Sequence, residues 1–222
     1  MKDLYQDKET HYFSTIRKDI IRLLPHNPSQ KILEIGAAKG DTLVYIKQNK
    51  LAQEVVGVDI FEMSGTNQSN SQIDAFHIAN IESDGLEYLK QNYFDVIICG
   101  DVLEHLLDPW AAVNKLSQFL KKGGVFIASL PNIRHRSAIK KIFLKGDFGY
   151  TSEGLFDKTH FRFFCKKNSI ALFNTNDLKV EKCLPIFFYN KWSIPAKLIN
   201  TIPFKIFEEF ISMQFLISAS KR

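Results

Sequence analysis

Cysteine is scarce and scattered in this chain. Cys99, Cys165 and Cys183 are its three cysteines. They lie far apart and are odd in number, so neither a disulfide framework nor metal-ligand spacing follows, no metal is expected, and a reducing cytoplasm is the expected compartment. No apolar run reaches the roughly twenty residues of a membrane span. The polar amino-terminal stretch MKDLYQDKET predicts neither a signal peptide nor an anchor. Low-complexity tracts and internal repeats are missing. So is a strong excess of one charge: 29 Lys and Arg against 24 Asp and Glu leave +5, which ordinary solvated lysines explain. The dinucleotide fingerprint G-x-G-x-x-G is absent too. Counting from Gly36, the third position is Ala38 and the sixth Asp41, which tells against a nicotinamide dehydrogenase, whose third glycine lets helix and strand pack closely.

What the chain does have is an α/β pattern organised around Lys31–Gly40, KILEIGAAKG. Ile32, Leu33 and Ile35 predict a buried strand, Gly36 and Gly40 break it, and helical spacing resumes from Thr42 to Lys50. Such a turn aims free N–H groups and a positive helix end at a ligand, and a Cβ at either glycine would hold that ligand off the backbone. The plain alternative is a tight strand–helix turn that needs small residues. A second strand, Glu54–Ile60, carries Asp59 near its end, about twenty residues on, where a carboxylate can accept hydrogen bonds from both ribose hydroxyls. Further strands are predicted at Gln72–Ile78, Phe94–Asp101, Val125–Leu130, Leu178–Phe188 and Gln214–Ser220. Helices are predicted at Glu9–Leu24, Asp84–Lys90, Lys166–Asn174, and from the Asp108 cap and Pro109 to Lys122, where Gly123-Gly124 stops it. At 222 residues with 45% hydrophobic content, one α/β domain with an elaboration is expected.

Glu34-x-Gly36-x-x-x-Gly40 with an acidic second strand end, followed by Asp101-Val-Leu-Glu-His105, Gly123-Gly124 and Pro131-Asn132 in that order, resembles the class I S-adenosylmethionine-dependent methyltransferases. The resemblance implies a single doubly wound Rossmann-like domain over residues 1–222. Its seven-stranded, mainly parallel sheet would run 3-2-1-4-5-7-6 with strand 7 antiparallel. It also implies the cofactor S-adenosyl-L-methionine and its contacts. Glu34 and the Gly36, Ala37, Ala38, Gly40 loop would hold the methionyl portion, and Asp59 with Ile60 the ribose. Asn80 stands where the family places an acid that reads the adenine amino group, and Ile81 would cover the ring. Gly100 and Asp101 would line the crevice floor, and His105 would lie near the methionine end, with its catalytic role left open. In this family a leading helix often closes over the cofactor, which makes Tyr12 a candidate lining residue with core packing as the plainer role.

Two later segments stand where class I enzymes place substrate covers, residues 133–164 and 189–213. The basic, amphipathic Ile133–Lys145 sets Ile139, Ile142 and Phe143 on one side. The pair LPNIRH and DKTHFRFF resembles a subgroup that includes MetW-like proteins and methyltransferases encoded with bacterial surface-polysaccharide machinery. Asn132, Asp157 and Arg162 are candidate substrate contacts. Asp157, His160 and Arg162 are polar groups among aromatics, which need partners in protein or ligand. Either an Asp–Arg pair with His160 beneath it fixes the loop, or these groups meet the substrate. His160 is the candidate general base, because imidazole titrates near neutrality.

The function this implies is methyl transfer to a small molecule, with O-methylation of a sugar or lipid-linked glycan intermediate favoured. A non-catalytic MetW-like partner protein and an RNA methyltransferase are the alternatives. A nucleic-acid substrate is disfavoured by the small basic excess and the absence of an Asn-Pro-Pro-Tyr-type segment. The aromatic insertion 189–213, with Trp192, Phe207 and its interspersed lysines, would roof the pocket, form a homodimer face, or, together with basic Arg134–Lys145, rest peripherally on an anionic membrane at the cytoplasmic side.

Overall fold

The computed structural model describes residues 16–187 and 202–222, with backbone alone for 202–206. Five parallel strands form its centre: β1 (Lys31–Ile35), β2 (Glu54–Asp59), β3 (Ala75–Ile78), β4 (Phe94–Gly100) and β5 (Leu120–Pro131). Two more, β6 (Leu178–Ile186) and β7 (Gln214–Lys221), complete a sheet of order 3-2-1-4-5-7-6, with β7 antiparallel to both its neighbours. The topology is the one expected.

The central strands are nearly continuous apolar runs because the sheet is covered on both faces. Along β4, Ile97 and Cys99 enter one core with α3 (Pro109–Ser117) and α5 (Lys166–Phe173). The alternate residues Val96 and Ile98 enter the other, with Ile20 of α1 (Lys18–Ile21) and Leu43 of α2 (Asp41–Gln48). Asp108 caps α3 as its spacing predicts: its Oδ1 accepts the Ala111 N–H at 2.9 Å, with Pro109 at the first helical position.

Three expected elements differ. α3 stops at Ser117, because Phe119 is buried in the turn that follows and Leu120 already belongs to the sheet; the Phe119 carbonyl accepts the Phe94 N–H, and Gly123 and Gly124 lie within β5. Residues 84–90 form turns, not a helix: Lys115 Nζ donates to the carbonyls of Ile81 and Asp84, and Asp84 Oδ2 accepts the Asn80 N–H. The segment Ile133–Lys145 yields only α4 (Arg136–Ile139) running into a π turn at Lys140–Leu144. That wider turn leaves Phe143 exposed while Ile142 packs beneath against Ala138, Leu155 and Phe156. The predicted helix Glu9–Leu24 is represented by α1 alone. Its first part, with Tyr12, and most of 189–213 lie outside the described residues, although α6 (Ile202–Ile211) falls at the end of that segment.

Candidate active site

A cavity of about 660 Å³ opens at the carboxyl ends of β1, β2 and β4. Its first wall is the β1–α2 turn. Gly36 has φ +69°, and a Cβ there would lie 2.3 Å from Val102 Cγ2. Ala38 holds φ +46° without being glycine, a strained conformation fixed by its N–H donating to Asp59 Oδ2 at 2.7 Å. The other Asp59 oxygen accepts the Phe61 N–H at 2.9 Å. Burial pushes the Asp59 carboxyl up, against the pull of these backbone donors. Each oxygen retains a lone pair for a ligand hydroxyl.

Glu34 lies beneath this wall, buried, with Oε2 lacking a protein partner. Burial raises its pKa to about 8, against the opposing attraction of Arg17. Arg17 crosses the floor. Its Nη1 donates to Asp101 Oδ2 at 2.6 Å and its Nη2 to Ser129 Oγ at 3.1 Å and Asp19 Oδ2 at 2.8 Å. Burial opposes the Arg17 charge, yet Asp101 and Asp19 together hold its pKa above the ordinary guanidinium value. Gly100 makes room for it, since a Cβ there would lie 3.0 Å from Arg17 Nη1. Asp101 itself sits at φ +55°, with Oδ1 accepting from Ser129 Oγ and Gln214 Nε2.

The second wall is built across the chain. The one-turn helix Leu103–His105 presents Glu104 and His105, and the cover segment adds Gly154, Leu155 and His160. The Glu104 carbonyl accepts the N–H groups of both Phe161 and Arg162, which pins the cover to the end of β4. His105 Nδ1 lies 3.0 Å from the Thr159 carbonyl and His160 Nδ1 3.3 Å from that of Leu155. Their ring centroids are 4.7 Å apart.

The cavity therefore brings together Glu34, Gly36, Ala37, Ala38, Asp59, Ile60, Asn80, Ile81, Gly100, Asp101, His105 and His160, all named from the sequence. Gly40 stands outside this group. It lies off the cavity, where a Cβ would meet Ile73 Cδ1 at 2.9 Å and the Asn67 backbone at 3.2 Å, so its smallness serves packing. Among the described residues, the three substrate candidates Asn132, Asp157 and Arg162 are not in the cavity lining. Asn132 donates to the carbonyls of Glu209 and Ser212 and accepts from Arg134 N, stapling β5 to the end of α6. Asp157 Oδ1 accepts both the N–H and the hydroxyl of Thr159, shaping the loop. Arg162 is exposed, lies over Trp110 and donates to the Leu107 carbonyl. Asn80 does line the cavity, with its Oδ1 accepting the Glu82 N–H at 3.0 Å and one lone pair left over. Sequence reasoning missed Arg17, the one Lys or Arg among the described lining residues, and gave Glu104 no role.

A sheet of this order with a cavity at this edge is the fold of the class I S-adenosylmethionine-dependent methyltransferases. An S-adenosylmethionine-dependent methyltransferase from Mesorhizobium loti superposes with a TM-score of 0.64 at 16% identity, over 92% of this chain and 96% of that one. The Burkholderia thailandensis 1,6-didemethyltoxoflavin-N1-methyltransferase, solved with bound 1,6-didemethyltoxoflavin and S-adenosylhomocysteine, superposes with a TM-score of 0.60 at 13% identity, over 99% of this chain and 81% of that one. The chain belongs to the methyltransferase-domain family, whose model matches residues 9–182. Among curated proteins it is similar to the ubiquinone biosynthesis O-methyltransferases of Xanthomonas campestris pv. campestris, at 24% identity over 131 residues, and Psychrobacter cryohalolentis, at 28% over 114. These alignments cover 56% and 49% of this chain and 53% and 43% of the relatives, so the chain spans about half the length of the curated proteins it matches.

Proposed function

We propose that the protein is an S-adenosylmethionine-dependent methyltransferase that methylates a hydroxyl of a small-molecule acceptor. The observation that carries this reading is the pairing of two unlike walls in one cavity: a backbone-and-carboxylate cradle on one side, Glu104, His105 and His160 on the other. The first wall fits the cofactor. Gly36 leaves a cradle that a Cβ would fill, the unpartnered Glu34 Oε2 faces a position suited to an amino group, and Arg17 is the cation for a carboxylate. Asp59 suits the ribose hydroxyls, and Asn80 and Ile81 suit adenine. When bound, S-adenosylmethionine supplies a methyl on a sulfonium, so no covalent nucleophile is required of the chain. The chain must hold an acceptor atom in line and provide for loss of its proton, and the polar groups set on the acceptor side for this are Glu104, His105 and His160. Substrate selection belongs to the cover residues Gly154 and Leu155 and to Ile186, Phe187 and Met213.

The O-methyl direction is supported by the named activity of the curated relatives. A lipid-linked acceptor is supported by an exposed apolar edge: Phe143 and Leu144 are 78% and 77% exposed, beside Arg136, Lys140, Lys141 and Lys145. No helix among the described residues is long and apolar enough to cross a membrane, so the contact we propose is peripheral, by side chains dipping into an anionic interface. Calorimetry with S-adenosylhomocysteine, followed by transfer of labelled methyl to fractionated phenols, sugars, lipids and RNA, tests the reading. Absence of cofactor binding at millimolar concentration defeats it, and label in RNA alone moves the acceptor class.

A further inference from the structure

Glu104 is 1% exposed, and among the described residues neither of its carboxylate oxygens has a hydrogen-bond partner. A buried carboxylate without a donor is costly by several kcal/mol unless a proton or a cation meets it.

The groups beside it are two imidazoles. One potential ligand atom each from Glu104, His105 and His160 lies within 4.8 Å of the others. Each Nδ1 faces a backbone carbonyl, which can only accept, so Nδ1 carries a hydrogen, and in the neutral imidazole Nε2 is then the ligand atom. This is the outer-shell arrangement that fixes metal-ligating histidines elsewhere, an N–H held by a backbone carbonyl while the opposite nitrogen coordinates. All three residues line the cavity on the acceptor side.

We propose that Glu104, His105 and His160 form a site for a divalent transition-metal ion that binds the acceptor hydroxyl. Two imidazoles and one carboxylate suit zinc, manganese or ferrous iron better than magnesium, which prefers oxygen alone. Metal–ligand bonds of roughly 2.0–2.2 Å bring tetrahedral ligand atoms to about 3.4 Å apart. The three side chains therefore draw in on binding. Three protein ligands leave a coordination position open, and here it faces the cavity. An acceptor hydroxyl entering that position forms a metal–oxygen bond, and its O–H bond breaks. The proton passes to solvent water, and the electron pair stays on oxygen, ready for transfer. The role in transfer rests on the methyltransferase reading; the metal site itself does not.

The test measures metal and cofactor separately. Chelator-stripped full-length protein is titrated with zinc(II) and, in parallel, with manganese(II) followed by electron paramagnetic resonance; S-adenosylhomocysteine is titrated by calorimetry. The expected result is one ion per chain, with Glu104→Gln and His160→Ala each weakening it about 100-fold or more and S-adenosylhomocysteine affinity changing less than about threefold. Thermal melting with and without ion guards against misfolded variants: the ion raises the Tm of the wild type and not that of Glu104→Gln. Absence of binding tighter than about 100 µM to the wild type, or equal binding by wild type and both variants, overturns the proposal. If S-adenosylhomocysteine still binds in that case, the methyltransferase reading stands. Metal binding at these residues without S-adenosylhomocysteine binding leaves the site in place and removes the methyltransferase reading.

Discussion

The two walls of the cavity are built by different means. The Gly36–Asp59 wall is local: each contact joins a strand end to the turn next to it, and much of its polarity is backbone, with Ala38 and Phe61 N–H groups already holding Asp59. The Glu104–His160 wall joins residues more than fifty positions apart, and its polarity resides in side chains. The first wall is held by hydrogen bonds between neighbouring backbone and the Asp59 carboxylate. The second depends on the seating of a cover segment and can vary without disturbing the sheet. One fold can thus keep its cofactor while changing its acceptor.

Breaking the second wall alone should give the largest effect. His160→Ala is expected to lower turnover about 10²–10⁴-fold with S-adenosylhomocysteine affinity nearly unchanged. A parallel loss of cofactor affinity and thermal stability would show that the walls are not separable, and that His160 only supports the loop.

Glu34 tests the first wall through pH. Its folded pKa of about 8 lies above the ordinary 4.5, so the folded chain holds a proton that the unfolded chain has released. The sign follows: stability is greatest below pH 4.5, falls as pH rises from there to 8, and is level above. The fall is on the order of 4–5 kcal/mol. Glu34→Gln should escape it, so denaturant unfolding without cofactor at pH 5, 6.5 and 8.5 should show the variant gaining on the wild type at each step. Parallel curves would mean that Glu34 is ionised in the fold.

Asp59→Ala is the next smaller effect. Loss of charge-assisted bonds to the ribose should weaken S-adenosylhomocysteine by roughly 1.5–3 kcal/mol. Asp59→Asn should lose less, because an amide oxygen can still accept one hydroxyl. An unchanged affinity in both would take Asp59 out of the cofactor wall.

The same contrast explains what could be read from the residues. Strand order, the glycine turn and the Asp59 tip were legible, because apolar periodicity and turn chemistry act over short stretches. Gly40 shows a limit of local reading, because a glycine that admits a ligand and one that admits Asn67 have the same local signature. Asn132, Asp157 and Arg162 show a related one: polar residues among aromatics need partners, and the fold supplies the carbonyls of Glu209 and Ser212, the N–H and hydroxyl of Thr159, and the Leu107 carbonyl. Arg17 left no signal, since its partner Asp101 lies 84 positions away. Glu104 was visible in Asp-Val-Leu-Glu-His, yet its burial without a donor is a property of the assembled cover and cannot be counted from spacing.

The smallest effect concerns the outer edge of the cover, where sequence and structure disagree most. Helical spacing would turn Phe143 inward with Ile139 and Ile142; the π turn turns it outward beside Leu144, with Arg136, Lys140 and Lys145 also exposed. Apolar tips ringed by basic side chains match an anionic bilayer surface, each basic residue contributing about 1 kcal/mol close to it. Partial insertion of two such side chains adds a similar amount each. Sedimentation with vesicles containing phosphatidylglycerol should therefore pull down the protein, less so in physiological than in low salt. Phe143→Ser with Leu144→Ser should weaken that binding roughly tenfold without altering S-adenosylhomocysteine affinity. The aromatic insertion on which the membrane reading of the sequence rested lies mostly outside the described residues, so Trp192→Ala within it is the companion variant: a larger loss there would shift the contact from 133–164 to 189–213. Equal sedimentation with neutral vesicles, or none together with a concentration-dependent dimer lost in the double variant, would assign the edge to a second copy of the chain.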